Sequence, residues 1–298
     1  MNQPNLLVVV SAGVSLVVLA SAAPAAAQDA VTLEPASPWQ LDMAENKCRL
    51  ARLYGADENR HVVFFEQWDP SAYAAWAAAG PAFKKFRDNR EATFAFGPVG
   101  DGSEFSFVDR TLGEFGPLIQ AKTSIAQLPQ AAEEQEEVRG FPLLDSAGAK
   151  PVDRLTVSQS KEEVVFELGS MEAPLKAMNL CMEDLVKSWG FDPAVQKTVS
   201  QRPKFENLPK VASLVQRSYP RDALRKGAQA DFHLRLTIDA QGGIEDCRLL
   251  NQTLADDFDM RLHPCTVFKQ HAKVAPALDS EGKPVRTYYA TRIVYRIG

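Results

Sequence analysis

The sequence has little of what most protein chemistry requires. It holds four histidines and four cysteines in 298 residues. No Gly-x-Ser-x-Gly elbow, phosphate loop or dinucleotide fingerprint follows a predicted strand. The glycine-rich stretch 97–102 lacks the Lys-Ser/Thr pair that phosphate binding needs. Nor is there a concentrated Lys/Arg stripe to displace counterions from a nucleic-acid backbone. These gaps argue against an enzyme of those classes and against nucleic acid as a partner, and no cofactor is expected. After one apolar run at the start, no second stretch of that apolarity occurs. The remaining roughly 270 residues are expected to be soluble and suit two modest domains.

The apolar run covers 6–20 and is followed by small residues in which Ala25-Ala26-Ala27 precedes Gln28. That is the pattern of a signal peptide over 1–27, with export to the periplasm. Residues 1–5 carry no Lys or Arg, which keeps a second reading open: an uncleaved inner-membrane anchor facing the periplasm. A spanning helix needs about 20 strongly apolar residues, whereas here Leu and Val stop at Leu19 and Pro24 follows. The net charge of −5 hides an asymmetry. Residues 28–190 hold 16 basic and 26 acidic side chains, residues 210–298 hold 14 and 10, and 191–209 add +1. Attraction between an acidic and a mildly basic domain is one plain use of that difference.

Export would place four cysteines in an oxidising compartment, where an even count favours disulfides. Sequence alone allows three pairings. Cys247 and Cys265 lie close together, and Cys48 and Cys181 bracket the earlier region, so pairing within domains, Cys48–Cys181 and Cys247–Cys265, is the favoured scheme.

Residues 28–40 read as an unstructured lead. The run His61-Val62-Val63-Phe64-Phe65-Glu66 is β-rich, and Phe94 and Phe96, then Phe105 and Phe107, flank the loop 97–102 as a hairpin. The Ala-rich stretch 73–79 reads as a short helix or an irregular edge. Trp68, Trp76, Phe83 and Phe86 crowd one stretch with Lys84, Lys85 and Arg87 between them; core packing is the first reading and a partner patch the second. The acidic run 133–137 reads as a solvated helix face or a loop. Ser170 is placed to cap a helix whose apolar positions Leu175, Met178, Cys181, Leu185 and Val186 follow helical spacing to Gly190. Residues 39–190 therefore form a β-rich domain with a packed last helix, and 191–209, with Pro193, Pro203 and Pro209, a linker.

The last segment, 210–298, has the sharpest pattern. A short helix is expected over 219–226. Phe232, Leu234, Leu236 and Ile238 alternate with His233, Arg235 and Thr237, which predicts one buried and one wet strand face. A turn at 240–243 leads to a second strand over 244–250. A helix from about Asp256 carries Phe258, Leu262 and Cys265, with Pro264 expected to kink or end it. Thr291, Ile293, Tyr295 and Ile297 alternate in a final strand. The fold class is α+β, a three-stranded antiparallel sheet with helices on one face and an exposed edge.

This segment resembles the TonB C-terminal domain family. The matching residues are Tyr219-Pro220 with Ala223 and Gly227, Thr237-Ile238-Asp239 followed by Gly242 or Gly243, Phe258-Asp259, Pro276-Ala277, Gly282-Lys283-Pro284-Val285 and the terminal alternating strand. The resemblance implies a domain that grips an extended segment of an outer-membrane receptor by adding a strand to its sheet edge. It also implies a contact role for Gln216, three residues before the Tyr219-Pro220 pair, and puts Tyr289, Thr291 and Ile293 on the binding strand. Ala230 near the first strand, Asn251-Gln252-Thr253 and Pro264 in the second helix depart from the family pattern, changes expected to alter loops and leave the fold. A long Pro-rich spacer is missing, so the resemblance carries fold and binding mode rather than energy transduction; an anchored transducer is the alternative. Earlier, Asn46-Lys47-Cys48-Arg49-Leu50-Ala51-Arg52 and Leu185-Val186-Lys187-Ser188-Trp189-Gly190 resemble a module that recurs before TonB-like domains in exported bacterial proteins.

Two chemical constellations remain. His263, Cys265, His271 and Cys247 imitate a zinc site, but their spacing fits no standard pattern and a disulfide would remove the thiolates. Asp145-Ser146-Ala147-Gly148 is similar to an aspartic-protease turn, but its glycine is one residue late and no second copy occurs. An ordinary turn accounts for it better.

Overall fold

The computed structural model describes residues 29–98, 102–126, 140–218, 221, 225, 230–250 and 263–295. The chain builds β1 (Asp29–Leu33), β2 (Gln40–Ala44), β3 (Lys47–Tyr54), β4 (His61–Gln67), β5 (Ala74–Ala79), β6 (Ala92–Gly97), β7 (Ser103–Phe105), β8 (Arg110–Leu112), β9 (Gly116–Thr123), β10 (Arg154–Gln159) and β11 (Glu162–Glu167). Then come α1 (Glu172–Ser188), α2 (Pro193–Thr198), β12 (Val199–Gln201), β13 (Lys204–Phe205), α3 (Leu208–Arg217), β14 (Ala230–Ile238), β15 (Ile244–Leu249), α4 (Pro264–His271), β16 (Val274–Ala275), β17 (Ala277–Asp279), β18 (Pro284–Val285) and β19 (Thr287–Tyr295).

The first eleven strands make two sheets, ordered β2-β3-β4-β5-β9-β8 and β1-β11-β10-β6-β7. One core joins both sheets to α1, whose Leu175, Met178, Cys181, Met182 and Leu185 are buried at helical spacing. Cys48 on β3 and Cys181 on α1 are disulfide-bonded, with Cα atoms 6.2 Å apart. The aromatic crowding resolves into this core. Trp76 is fully buried and meets Phe94 edge-on at 5.2 Å, and Phe83 and Phe86 are also inside. Trp68 is half-buried and leaves the cluster for another partner, described below.

Several expectations are corrected here. The Ala-rich stretch is neither helix nor edge, because β5 lies between β4 and β9 in the sheet interior. Its small side chains sit opposite Phe64 and beside Trp76, which fill the space that alanine leaves. The 28–40 lead contains β1, paired parallel to β11, and β2 begins at its last residue. The expected hairpin forms as β6–β7, with Ala92 opposite Phe105, but Phe107 lies past the strand and is buried. Ser170 does not cap α1; Met171 holds that position, and the Ser170 hydroxyl donates to the Lys150 carbonyl at 2.9 Å. The stretch 191–209 is not bare linker, since α2, β12, β13 and the start of α3 lie in it. There β12 pairs with β17 and β13 with β16.

The C-terminal sheet has the order β15-β14-β19, antiparallel throughout. Phe232, Leu234, Leu236 and Ile238 turn into a second core with Val211 and Val215 of α3 and Val267 and Phe268 of α4. Pro264 does not kink a helix but opens one. At the first helical position its missing N–H would have had no partner anyway, and the His263 ring Nδ1 accepts from the Cys265 amide at 3.1 Å. The acidic run 133–137, most of 219–226 and the motifs between 251 and 262 lie outside the described residues, as does the 1–27 segment.

Candidate functional site

Strand β14 is central, so β15 and β19 are the two edges of the C-terminal sheet. Each residue of an antiparallel strand turns its N–H and C=O to one side, and the next residue turns them to the other. The Leu250 amide donates to the His233 carbonyl at 2.7 Å. His233, Arg235 and Thr237 therefore face β15, while Phe232, Leu234, Leu236 and Ile238 bond to β19. Through the register Phe232–Ile293, Leu234–Thr291 and Leu236–Tyr289, the backbones of Tyr289, Thr291 and Ile293 point inward. Ala290, Arg292 and Val294 turn theirs to the outer edge.

That outer edge is closed at its start. Gln196 of α2, fully buried, donates its side-chain amide to the Arg286 carbonyl at 3.0 Å and accepts from the Thr287 hydroxyl at 2.7 Å. Beyond Thr287, no described strand pairs with it. The β15 edge is blunted differently. Its Cys247 amide is taken by the Asp246 carboxylate at 2.8 Å, and Asp246 also holds Arg248 at 3.0 Å and Lys269 at 3.6 Å. Burial pushes the Asp246 carboxyl up, but these partners outweigh it and hold it below the usual carboxylate range. The Cys247–Cys265 disulfide, Cα atoms 5.5 Å apart, ties that strand to α4. Charge and cover of this kind protect an edge from stray pairing; on β19 the cover lies over Thr287 and Tyr288, and no described strand pairs with the residues that follow.

The side chains of β19 divide between the two faces. Tyr289 and Ile293 pack on the C-terminal core, with the Tyr289 ring 4.7 Å from Phe205. The Tyr295 hydroxyl donates to the Val215 carbonyl at 2.8 Å and fixes the strand's far end to α3. Tyr288 points the other way, among Phe141, Val186 and Phe191. Burial raises its hydroxyl pKa, with Asp69 adding to the rise and Arg202 opposing it.

The second face of the sheet, expected to be wet, is covered. Arg235 is 5% exposed, with its guanidinium 4.3 Å over the Trp189 ring that follows α1. His233 stacks on Trp68 at 4.4 Å, Trp189 meets Tyr288 edge-on at 5.3 Å, and the Asn46 side chain donates to the Leu250 carbonyl. Alternation predicted polar residues here; it did not show that aromatic side chains from the first part of the chain would cover them. Burial, with Arg248 nearby, lowers the Arg235 guanidinium to about 10 against the pull of Asp246 and Glu45. Its Nη1 and the Trp189 Nε1 find no hydrogen-bond partner among the described residues.

Of the residues the sequence put forward for binding, Gln216 is exposed in the last turn of α3, and Tyr219 and Pro220 lie outside the described residues. Tyr289, Thr291 and Ile293 are brought together on β19, but as its ladder positions. The residues whose backbones face out are Ala290, Arg292 and Val294, a parity that only the Leu250–His233 hydrogen bond together with the register against β14 reveals. The chemical constellations resolve simply. Asp145 Oδ1 accepts from the Gly148 amide at 2.8 Å in a turn, and Cys247 and Cys265 are consumed by their disulfide. Among the described residues no group of three or more His, Cys, Asp or Glu is set to hold a metal ion, and no helix is long and apolar enough to cross a membrane.

No curated protein matches the chain. Residues 215–297, which hold the β15-β14-β19 sheet and α4, match the family described as Gram-negative bacterial TonB protein C-terminal, and this segment is a TonB C-terminal domain.

Proposed function

We propose that this chain is a periplasmic, non-catalytic binding protein in which a β-rich module over 39–190, joined through 191–209, presents a TonB-like domain whose β19 edge captures an extended segment of an envelope protein. Domains of this family are non-enzymatic and interact with other proteins. The observation that carries the reading is the outer edge of β19, where the backbones of Ala290, Arg292 and Val294 turn away from the sheet while the β15 edge is closed by Asp246. An incoming strand would add main-chain hydrogen bonds at those residues, with side-chain pockets supplying selectivity.

The test is a pair of prolines. Ala290→Pro removes an outward N–H and leaves the ladder to β14 intact, as proline is tolerated at an edge. Thr291→Pro removes an inward N–H and damages the sheet itself. With synthetic peptides from the periplasm-facing segments of host outer-membrane receptors, Ala290→Pro is expected to lose at least about tenfold in affinity with its melting temperature kept. Undiminished capture by Ala290→Pro would remove β19 from the mechanism. The intact mass in the native host decides location: a chain beginning at Gln28 in the periplasmic fraction supports a free binding protein, and one retaining Met1 in the inner membrane favours an anchored transducer.

A further inference from the structure

A cavity of about 370 Å³ opens between the 3₁₀ turn Pro81–Lys85, the Phe107 loop, β8 and β9. Small-molecule sites run from about 300 to 1,000 Å³. Its floor is apolar: Phe83, Phe86, Phe107 and Ile119 line it, and each belongs to the buried core. Its mouth is cationic, formed by the exposed Lys84, Arg87 and Arg110, with Asp109 as the one acid lining it. Of the acids on neighbouring segments, Glu114 is engaged by Arg60 at 2.9 Å and Glu162 by Lys85 at 3.1 Å. Arg87 is fixed at the rim, its Nη1 donating to the Lys84 and Phe86 carbonyls at 2.8 and 2.9 Å. This local positive charge stands out in a region of 16 basic and 26 acidic residues.

An apolar floor under a cationic mouth matches a molecule with a hydrocarbon body and a single anionic end. We propose that this cavity binds an amphiphilic carboxylate of the acyl-chain class, with the chain along the apolar floor and the carboxylate between Lys84 and Arg110. A phosphate-like anion has no use for the floor, and a neutral apolar molecule has none for the mouth. The site shares no residue with β19, so it stands or falls independently of the edge-binding reading.

Decanoate is the probe, titrated calorimetrically into the full mature chain, with decanol and decyltrimethylammonium as controls. Saturable binding of decanoate is expected, at least about tenfold tighter than either control. Reversing one mouth charge replaces an attraction by a repulsion, so Arg110→Glu is expected to weaken decanoate about tenfold. Lys84→Glu should act in the same direction, and both variants should melt as the wild type does. Chemical-shift changes on Phe83 and Phe107 would place the chain in the floor. Absence of saturable binding up to millimolar decanoate, equal binding of decanol, or indifference to both charge reversals would overturn the proposal.

Discussion

The two halves of this protein use the same device at very different scales. In each, a disulfide joins a sheet strand to the helix that covers it: Cys48 on β3 to Cys181 on α1, and Cys247 on β15 to Cys265 on α4. The first closes 133 residues of chain and the second 18. Closing a loop removes conformational freedom from the unfolded chain in proportion to the logarithm of its length, about 5 kcal/mol for the longer loop and about 3 kcal/mol for the shorter. The long bridge therefore secures a two-sheet assembly whose partners are far apart in sequence. The short one ties β15, already paired with β14 in a local hairpin, to the helix beside it. Replacing both cysteines of each pair by alanine and measuring urea unfolding is expected to show the larger loss for the Cys48–Cys181 pair. Equal losses, or the reverse order, would break the comparison and point to native-state packing as the main contribution of each bridge.

The halves also meet, and that contact decides whether they unfold together. Trp189 touches both sides of the seam, packing against the first core and lying under the Arg235 guanidinium and edge-on to Tyr288 of the C-terminal sheet. Trp189→Ala is expected to cost about 3 kcal/mol, at the low end for removing a large aromatic because this one is only half-buried. It should also separate a single unfolding transition into two. Calorimetry checks both. A variant that still melts in one transition, with a loss under about 1 kcal/mol, would show that the seam does not couple the halves.

Much of the C-terminal half is legible because its strands are local in their logic. Phe232, Leu234, Leu236 and Ile238 alternate in sequence and are buried together in space, and the short loop between Cys247 and Cys265 makes their pairing natural. In α1 the helical spacing of Leu175, Met178, Cys181 and Leu185 reads directly as a buried stripe. What stayed hidden depends on distant partners. Alanine has no strand preference of its own, so β5 shows itself only once Phe64 and Phe65 of β4 lie beside it. β1 looks like a lead until β11, more than a hundred residues on, supplies its parallel partner. Arg235 is polar by sequence and buried by Trp189, and nothing near it in the chain announces that cover. The candidate edge was found as a segment, yet its outward parity came from one carbonyl, that of His233, bonded to Leu250.

The smallest expected effect compares one buried histidine from each core. His61 is fully buried, with Nδ1 against the Asn59 carbonyl at 2.8 Å and Nε2 accepting from the Ala82 amide at 3.0 Å. Nδ1 therefore carries the proton, and the ring is neutral. His263 is also buried, with Nδ1 accepting from Cys265. Burial lowers the pKa of both, with the Asn59 carbonyl partly opposing the shift at His61. The unfolded chain, with histidines near their usual value of about 6.5, then takes up protons before the folded one does. Stability from these rings is complete above pH 6.5 and is lost as pH falls from there towards the lowered native values. Protonating either ring turns an accepting nitrogen into a donor and breaks a bond, that of Nε2 with the Ala82 amide at His61 and that of Nδ1 with the Cys265 amide at His263; the two differ in that the Asn59 carbonyl opposes burial at His61 and burial acts alone at His263. Unfolding free energies at pH 7.5 and 5.0 should therefore differ less in His61→Gln than in wild type, and His263→Gln should reduce the difference by a larger amount, because nothing opposes the lowering there. If the two variants flatten the pH dependence equally, the Asn59 carbonyl is not what distinguishes the histidine of the first core from that of the second.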